Sequence, residues 1–319
     1  MQALHNIEYC TQAGKHPTSG ARVAPGGHAD PSGLKGARPN RGVRRRTRKK
    51  LLTVQASSAW GGDKEAGGGL PYAVPAPALP RKPALVVSHE RSGTHFLMNT
   101  LALNFGYVPY TDLDERPGFD PRSTPRLLEF LLSGWPPRTV LKSHHAAELL
   151  PALPMLAEVY AVFYVVRDPR DALLSFWRFV AASPPGTGPL TATPGEFLRA
   201  APAGRVLRYQ RHAAASMVDR WRLHVEGWNA AAARFPGRLT VVRYADLDER
   251  FAATVGGLAA PLGSAGPGAA PRRPSPLTQV VHPGVGGSGQ HRAAFSAADQ
   301  EFVLGTAGEA MRRLGCGAP

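Results

Sequence analysis

The sequence predicts an α/β fold, with a parallel central sheet covered by helices on both faces. Three observations carry that expectation. Short apolar runs recur at Ala84–Ser88, Thr139–Lys142, Tyr160–Val166 and Leu239–Tyr244, too continuous for strands with one face in water. Stretches of helical character, at Phe96–Ala102 and Asp171–Phe179, follow the first and third of them. The first run also turns into its helix through a glycine-containing loop, an arrangement that exposes backbone N–H groups to an anion.

In chain order, residues 1–56 read as a disordered basic tail or a transit peptide, being rich in Gly, Pro and Arg and poor in acids. Eleven Lys or Arg fall between Lys15 and Lys50, against Glu8 and Asp30 alone. Much of the net charge of +15 is therefore concentrated ahead of the first strand. Leu51–Ser57 resembles the Val-x-Ala cleavage sites of algal chloroplast transit peptides. If the N-terminus is a transit peptide, the expected location is a chloroplast or other organelle; otherwise it is cytoplasmic.

Residues 57–82 form a Gly/Pro-rich linker, interrupted by Gly61-Gly62, Gly67-Gly68-Gly69 and four prolines. The folded domain is expected over 83–319. With 319 residues and 43% hydrophobic content the chain has enough apolar mass to bury a core. Only Cys10 and Cys316 are present, which argues against a disulfide framework and a structural zinc site. No apolar stretch reaches the length of a bilayer span. The Pro-, Gly-, Ala- and Ser-dominated segments at 181–204 and 256–276 read as loops or lids. Trp221, His224 and Trp228 share one face of a helix and read as core.

Two motifs carry chemistry. In Ser88-His89-Glu90-Arg91-Ser92-Gly93-Thr94-His95-Phe96, Gly93 permits close backbone approach, Ser92 and Thr94 offer hydroxyls, and Arg91 offers charge. It lacks the lysine of a Walker A loop. In Arg167-Asp168-Pro169-Arg170-Asp171-Ala172-Leu173-Leu174-Ser175, Arg167 at a strand end and Ser175 two turns into the helix can grip one phosphate from two directions. Taken alone, the first stretch also reads as a capped strand-to-helix turn and the second as an Arg–Asp cluster at a helix start.

Together these stretches resemble the PAPS-dependent sulfotransferase family, whose donor is 3′-phosphoadenosine 5′-phosphosulfate. The family's 5′-phosphosulfate loop matches Arg91-Ser92-Gly93-Thr94, and its 3′-phosphate motif matches Arg167 and Ser175 at the same spacing. Lys142-Ser143-His144 resembles the family's Lys-Thr-His element, and Trp221–Trp228 and Arg243–Leu247 extend the likeness over residues 83–305. Arg91 replaces a lysine common in the cytosolic branch, and His95-Phe96 replaces Thr-Trp, as in bacterial and algal members. Gly289–Phe295 resembles the last donor-binding loop, R-K-G-x-x-G-x-W-[KR]-x-x-F, but Gly284-Val285 stands where Arg-Lys is usual. By the resemblance, the 3′-phosphate site loses one cation there, which implies either lower PAPS affinity or substitution by Arg292.

The resemblance implies a P-loop-like sulfotransferase fold, with PAPS as cosubstrate and no metal. It implies His144 as general base, an imidazole of ordinary pKa ~6.5, with Lys142 and Arg91 stabilising charge. Donor binding falls to Arg91, Ser92, Gly93, Thr94, His95, Arg167, Ser175, Gly289 and Arg292. The acceptor is a hydroxyl or amine of a small molecule or carbohydrate. Nucleic acid is not expected, because no basic run is interleaved with aromatics. A one-residue change of strand register would make His145 the base. The competing readings are a small-molecule kinase of P-loop type and a catalytically silent nucleotide-binding relative, the latter suggested by the altered last loop.

Overall fold

Five strands form one parallel sheet: β1 (Ala84–Ser88), β2 (Val108–Tyr110), β3 (Thr139–Ser143), β4 (Ala161–Val166) and β5 (Thr240–Arg243), in the order β2-β3-β1-β4-β5. The computed structural model describes residues 81–110, 124–149, 152–210, 212–268, 270–275 and 287–316. The tail or transit peptide, most of the linker and the Gly284-Val285 departure lie outside the described residues. Among those described, the helices are α1 (Thr94–Phe105), α2 (Thr124–Leu131), α3 (Leu153–Val159), α4 (Pro169–Ala181), α5 (Pro194–Arg199), α6 (Met217–Arg234), α7 (Tyr244–Glu249), α8 (Phe251–Gly257) and α9 (Ala297–Arg313).

The apolar runs form strands because both of their faces are covered. Leu85 and Val87 of β1 enter one cluster, with Leu173 of α4, Trp221 of α6 and Val303 of α9. Ala84 and Val86 enter a second, with Leu97 and Leu101 of α1, Leu247 of α7 and Val255 of α8. Alternation of side chains along a strand sends successive residues to opposite faces. The result is three layers with helices on both sides, as the sequence predicts.

Sheet order places the site. The chain leaves β1 for β2 at one edge and leaves β4 for β5 at the other, yet β1 and β4 are hydrogen-bonded neighbours, Ser88 opposite Val165. Loops from their carboxyl ends therefore diverge and leave a crevice between them, the usual ligand position in an open α/β sheet. The first and second motifs occupy those two loops.

All four expected strands are present, with ends moved by at most one residue. β2 was not expected: it has three residues and no apolar run, and pairs with β3 at the sheet edge. The reading of 181–204 as loop or lid is corrected by α5. Pro194 occupies its first turn, Thr193 and Glu196 form a capping box, and Phe197 and Leu198 are fully buried. A six-residue helix whose helical signal is a cap and two core residues has no visible periodicity. Folded structure also begins inside the expected linker, since Arg81 donates to the Phe105 carbonyl at 2.8 Å and Lys82 to that of Ala157 at 3.3 Å.

No helix among the described residues is long and apolar enough to cross a membrane. Leu85, fully buried in the central strand, sets the scale of core packing: Leu85→Ala is expected to destabilise by about 2–5 kcal/mol in urea unfolding. Thr193→Ala, which removes only the α5 cap, is expected to cost about 1 kcal/mol.

Candidate functional site

The β1–α1 loop is built for close approach. Gly93 caps α1 at φ 104°, and a Cβ there would collide with the Tyr244 ring as well as strain the backbone. No side chain caps α1, so neither Ser92 nor Thr94 takes the cap role and the first helical N–H groups have no side-chain cap. Thr94 Oγ1 pairs with Ser88 Oγ at 2.5 Å instead. Arg91 is itself left-handed, with φ 64°, a conformation that costs a bulky residue about 1–3 kcal/mol and needs support from its surroundings.

That support comes from the second motif. Arg167 Nη1 donates to the Arg91 carbonyl at 3.1 Å, and Arg91 Nε donates to Ser175 Oγ at 3.2 Å. Arg91, Arg167 and Ser175 thus form one cluster, with Ser175 gripped by Arg91. Tyr244, at the end of β5, lies under the Arg167 guanidinium, 4.4 Å from its carbon to the ring centre. Burial, and then the charge of Arg167, hold Arg91 below the usual arginine range. Two partly desolvated cations side by side favour an anion between them.

Two further observations fit an anionic ligand. Ser92 Oγ and Arg167 Nε are buried with no hydrogen-bond partner among the described residues, a cost of about 1–3 kcal/mol each unless something completes them. Both can donate, and both belong to the loops flanking the β1/β4 crevice. The residues present therefore fit the phosphate ends of PAPS.

At the end of β3, Lys142 Nζ lies 3.4 Å from His95 Nε2, so the strand and the first turn of α1 meet over the loop. His144 is half-buried and places Nδ1 2.9 Å from the Ser88 carbonyl. His145 has a different partner. It is fully buried, with Nδ1 2.7 Å from Ser143 Oγ. The Tyr209 ring stands edge-on to both imidazoles.

The last loop is held by Asp171, which accepts from the Gly289 N–H at 2.7 Å, the His291 N–H at 3.1 Å and His291 Nδ1 at 2.9 Å. Burial pushes the Asp171 pKa up, but those hydrogen bonds and the Arg167 charge outweigh it, and the carboxyl lies below its usual range. Gly287 closes the arrangement, accepting from Arg167 Nη2 at 2.6 Å and donating to Tyr244 Oη at 3.1 Å. Gly289 thus borders the cluster. Arg292 is exposed on the following turn, and no hydrogen bond joins its side chain to Arg167 or Ser175 among those described.

Sequence reasoning assigned no role to Tyr244 or Asp171, nor to the pair Glu90 and Arg220. Arg220 Nη1 and Nη2 donate to the two Glu90 oxygens at 2.8 and 2.7 Å, and both residues are buried. The two are 130 positions apart, so no local spacing signals the pair. For Glu90, burial raises the pKa, yet Arg220 outweighs it and the carboxyl stays well below its usual range.

His89 and His224 make this network pH-sensitive. Burial pushes the His89 pKa down to about 3, against the opposing charge of Glu90, and pushes His224 well below the usual imidazole range. In the unfolded chain both titrate near ~6.5. Below that pH the unfolded chain binds protons that the folded chain does not, so their stabilisation is complete above about pH 6.5 and lost as pH falls toward about 3. Thermal melts from pH 7.5 to 4 are expected to show a falling Tm, with a shallower slope in His224→Gln. A flat profile in the parent chain would mean that these imidazoles are not held neutral.

Comparison with known proteins gives the same family that the motifs resemble. Among solved structures, the mouse sulfotransferase SULT7A1 complexed with PAP is 18% identical, with a TM-score of 0.49 over 72% of this chain and 85% of that one. Retinol dehydratase in a complex with retinol and PAP is 16% identical, with a TM-score of 0.41 over 74% and 83%. The sulfotransferase domain from the curacin biosynthetic pathway is 14% identical, with a TM-score of 0.40 over 76% and 100%. No curated protein sequence matches the chain. A family model, the sulfotransferase domain, matches residues 81–265. That match spans more than half of the chain, from the lead-in to β1 to beyond α8, and on it this chain belongs to the sulfotransferase family, transferases that draw a sulfuryl group from PAPS.

Proposed function

We propose that this enzyme transfers the sulfuryl group of PAPS to a hydroxyl or amine of a small-molecule or carbohydrate acceptor, with His144 as general base. The observation that carries the reading is the bond between His144 Nδ1 and the Ser88 carbonyl at 2.9 Å. A carbonyl only accepts, so the ring hydrogen sits on Nδ1 and the basic lone pair on Nε2. Because Ser88 is the last residue of β1, the same contact ties the base to the phosphate loop.

Bound at this loop, PAPS supplies the sulfuryl group and a phosphate oxygen as leaving group. His144 Nε2 takes the acceptor proton. Lys142 Nζ and the Arg91 guanidinium bring positive charge to the loop, where charge builds as transfer proceeds. Ser92 Oγ and the first N–H groups of α1, with Gly93, Thr94 and His95 framing them, hold the 5′ phosphate. Arg167 and Ser175 hold the 3′-phosphate, with Gly289 and Arg292 on its rim. Holding both ends of the donor while the base is fixed to the same strand is positional catalysis.

Calorimetry with adenosine 3′,5′-bisphosphate, controlled with AMP and Mg²⁺-ATP, is expected to show selective binding that Arg167→Ala weakens by about tenfold or more. His144→Ala is expected to keep that affinity and lower kcat by about 10²–10⁴-fold, measured with whichever acceptor a screen of hydroxyl and amine compounds supplies. Preference for Mg²⁺-ATP, or full turnover by His144→Ala, would overturn the reading.

A further inference from the structure

α6 carries Arg220, His224 and Trp228 four residues apart, so the three side chains lie along one face of the helix. All three are buried. Each ends on a loop of the site. Arg220 grips the Glu90 carboxylate, donates to His89 Nε2 at 2.8 Å and reaches Gln210 Oε1 at 2.6 Å. His224 Nε2 lies 3.2 Å from the His144 carbonyl, and its Nδ1 lies 3.0 Å from Tyr164 Oη. Trp228 Nε1 donates to the His145 carbonyl at 2.9 Å.

Chemistry orients these bonds without ambiguity. The His144 carbonyl only accepts, so His224 carries its hydrogen on Nε2 and accepts from Tyr164 at Nδ1. Arg220 only donates, so His89 accepts at Nε2 and donates from Nδ1 to the Glu90 carbonyl at 3.0 Å. Neutral imidazoles satisfy every one of these bonds. Apolar side chains of similar volume would fill the same space without burying a charge, and such replacement is often neutral or stabilising. What the apolar replacements could not do is set the height and angle of two loops.

We infer that Arg220 and His224 are positioning residues, two points on one helical rail that hold the phosphate loop and the base His144 in a common frame. The inference rests on the reading of that loop as the donor site and of His144 as the base. Glu90 immediately precedes Arg91, so Arg220 anchors the loop one residue before its left-handed position. His224 anchors the backbone of the residue whose ring bonds to Ser88. Through Gln210, Arg220 also ties down the 204–210 segment, whose Tyr209 ring stands 5.7 Å from that of His144. Displacement of one anchor should therefore disturb one function and spare the other.

The test uses the full-length chain in three forms beside the parent: the double variant Glu90→Met with Arg220→Met, His224→Leu, and His224→Gln. The double variant removes both charges together and leaves none buried alone. Calorimetry reads the affinity for adenosine 3′,5′-bisphosphate; histidine ¹⁵N NMR reads the tautomer of His144, assigned with His144→Asn; thermal melts read stability. The double variant is expected to bind the bisphosphate about tenfold or more weakly while remaining folded. His224→Leu is expected to keep affinity within about twofold and to move His144 from the Nδ1–H toward the Nε2–H tautomer. His224→Gln, whose amide N–H reaches the same carbonyl, is expected to restore it.

Affinity and tautomer changing together in step with Tm would reduce both residues to plain core packing. An unmoved affinity in the double variant, or an unmoved tautomer in His224→Leu, would remove that anchor and with it the rail. If the double variant does not fold, Arg220→Lys, which keeps the charge but loses the planar fork, carries that arm with the same outcomes. Failure of the parent chain to bind the bisphosphate would sink the donor-site reading instead, and the tautomer measurement, which needs no ligand, would still decide the role of His224.

Discussion

The position of β1 is the constraint on which the site depends. Buried on both faces and hydrogen-bonded to β3 and β4, it has no freedom to shift register without moving its apolar residues out of two clusters at once. Its carboxyl end delivers the Arg91–Thr94 loop, and the Ser88 carbonyl receives His144 from just beyond the end of β3. A single strand end therefore sets the relation between the Arg91–Thr94 loop and the His144 imidazole, and the registers with β3 and β4 bring Lys142 and Arg167 to the same edge of the sheet.

Electrostatics at that rim are arranged in two tiers. On the open side, Arg91 and Arg167 approach each other with hydroxyl and carbonyl partners in place of carboxylates. Carboxylates nearby are occupied elsewhere: Asp168 by the Arg170 guanidinium and backbone N–H, Asp171 by the Gly289–His291 turn, and Glu90 by Arg220. Beneath it, charges are neutralised in place or suppressed, since Glu90 is paired and His89 and His224 are neutral. A site with positive charge facing outward and a compensated floor suits a polyanionic donor, because the ligand meets little carboxylate repulsion.

Much of the fold was legible because its strongest signals are local. Four apolar runs, a Gly-containing turn at Ser92-Gly93-Thr94 and an Asp168-Pro169 helix start each announce themselves within a few residues. β2 and α5 did not, since one is a three-residue edge and the other a short capped helix in a Pro-rich segment. Among the candidate residues, Arg91, Ser92, Gly93, Lys142, Arg167 and Ser175 stand in readable motifs; Arg91, Arg167 and Ser175 form one bonded cluster, and Lys142 meets His95 at the start of α1. Arg292 was assigned with them by pattern and is exposed on a turn.

By itself, the sequence determined the fold class, the order of the loops at the sheet's carboxyl edge and the family to which those loops belong, because backbone sterics and apolar patterning act over short distances. Tertiary structure alone decided which of two adjacent histidines bonds to the Ser88 carbonyl and which is fully buried against Ser143, that Ser175 is gripped by Arg91, and that Glu90 meets Arg220 across 130 positions. Those choices follow from strand register and from how α6 lies against the loops. They are set by packing between distant segments, which no local pattern encodes.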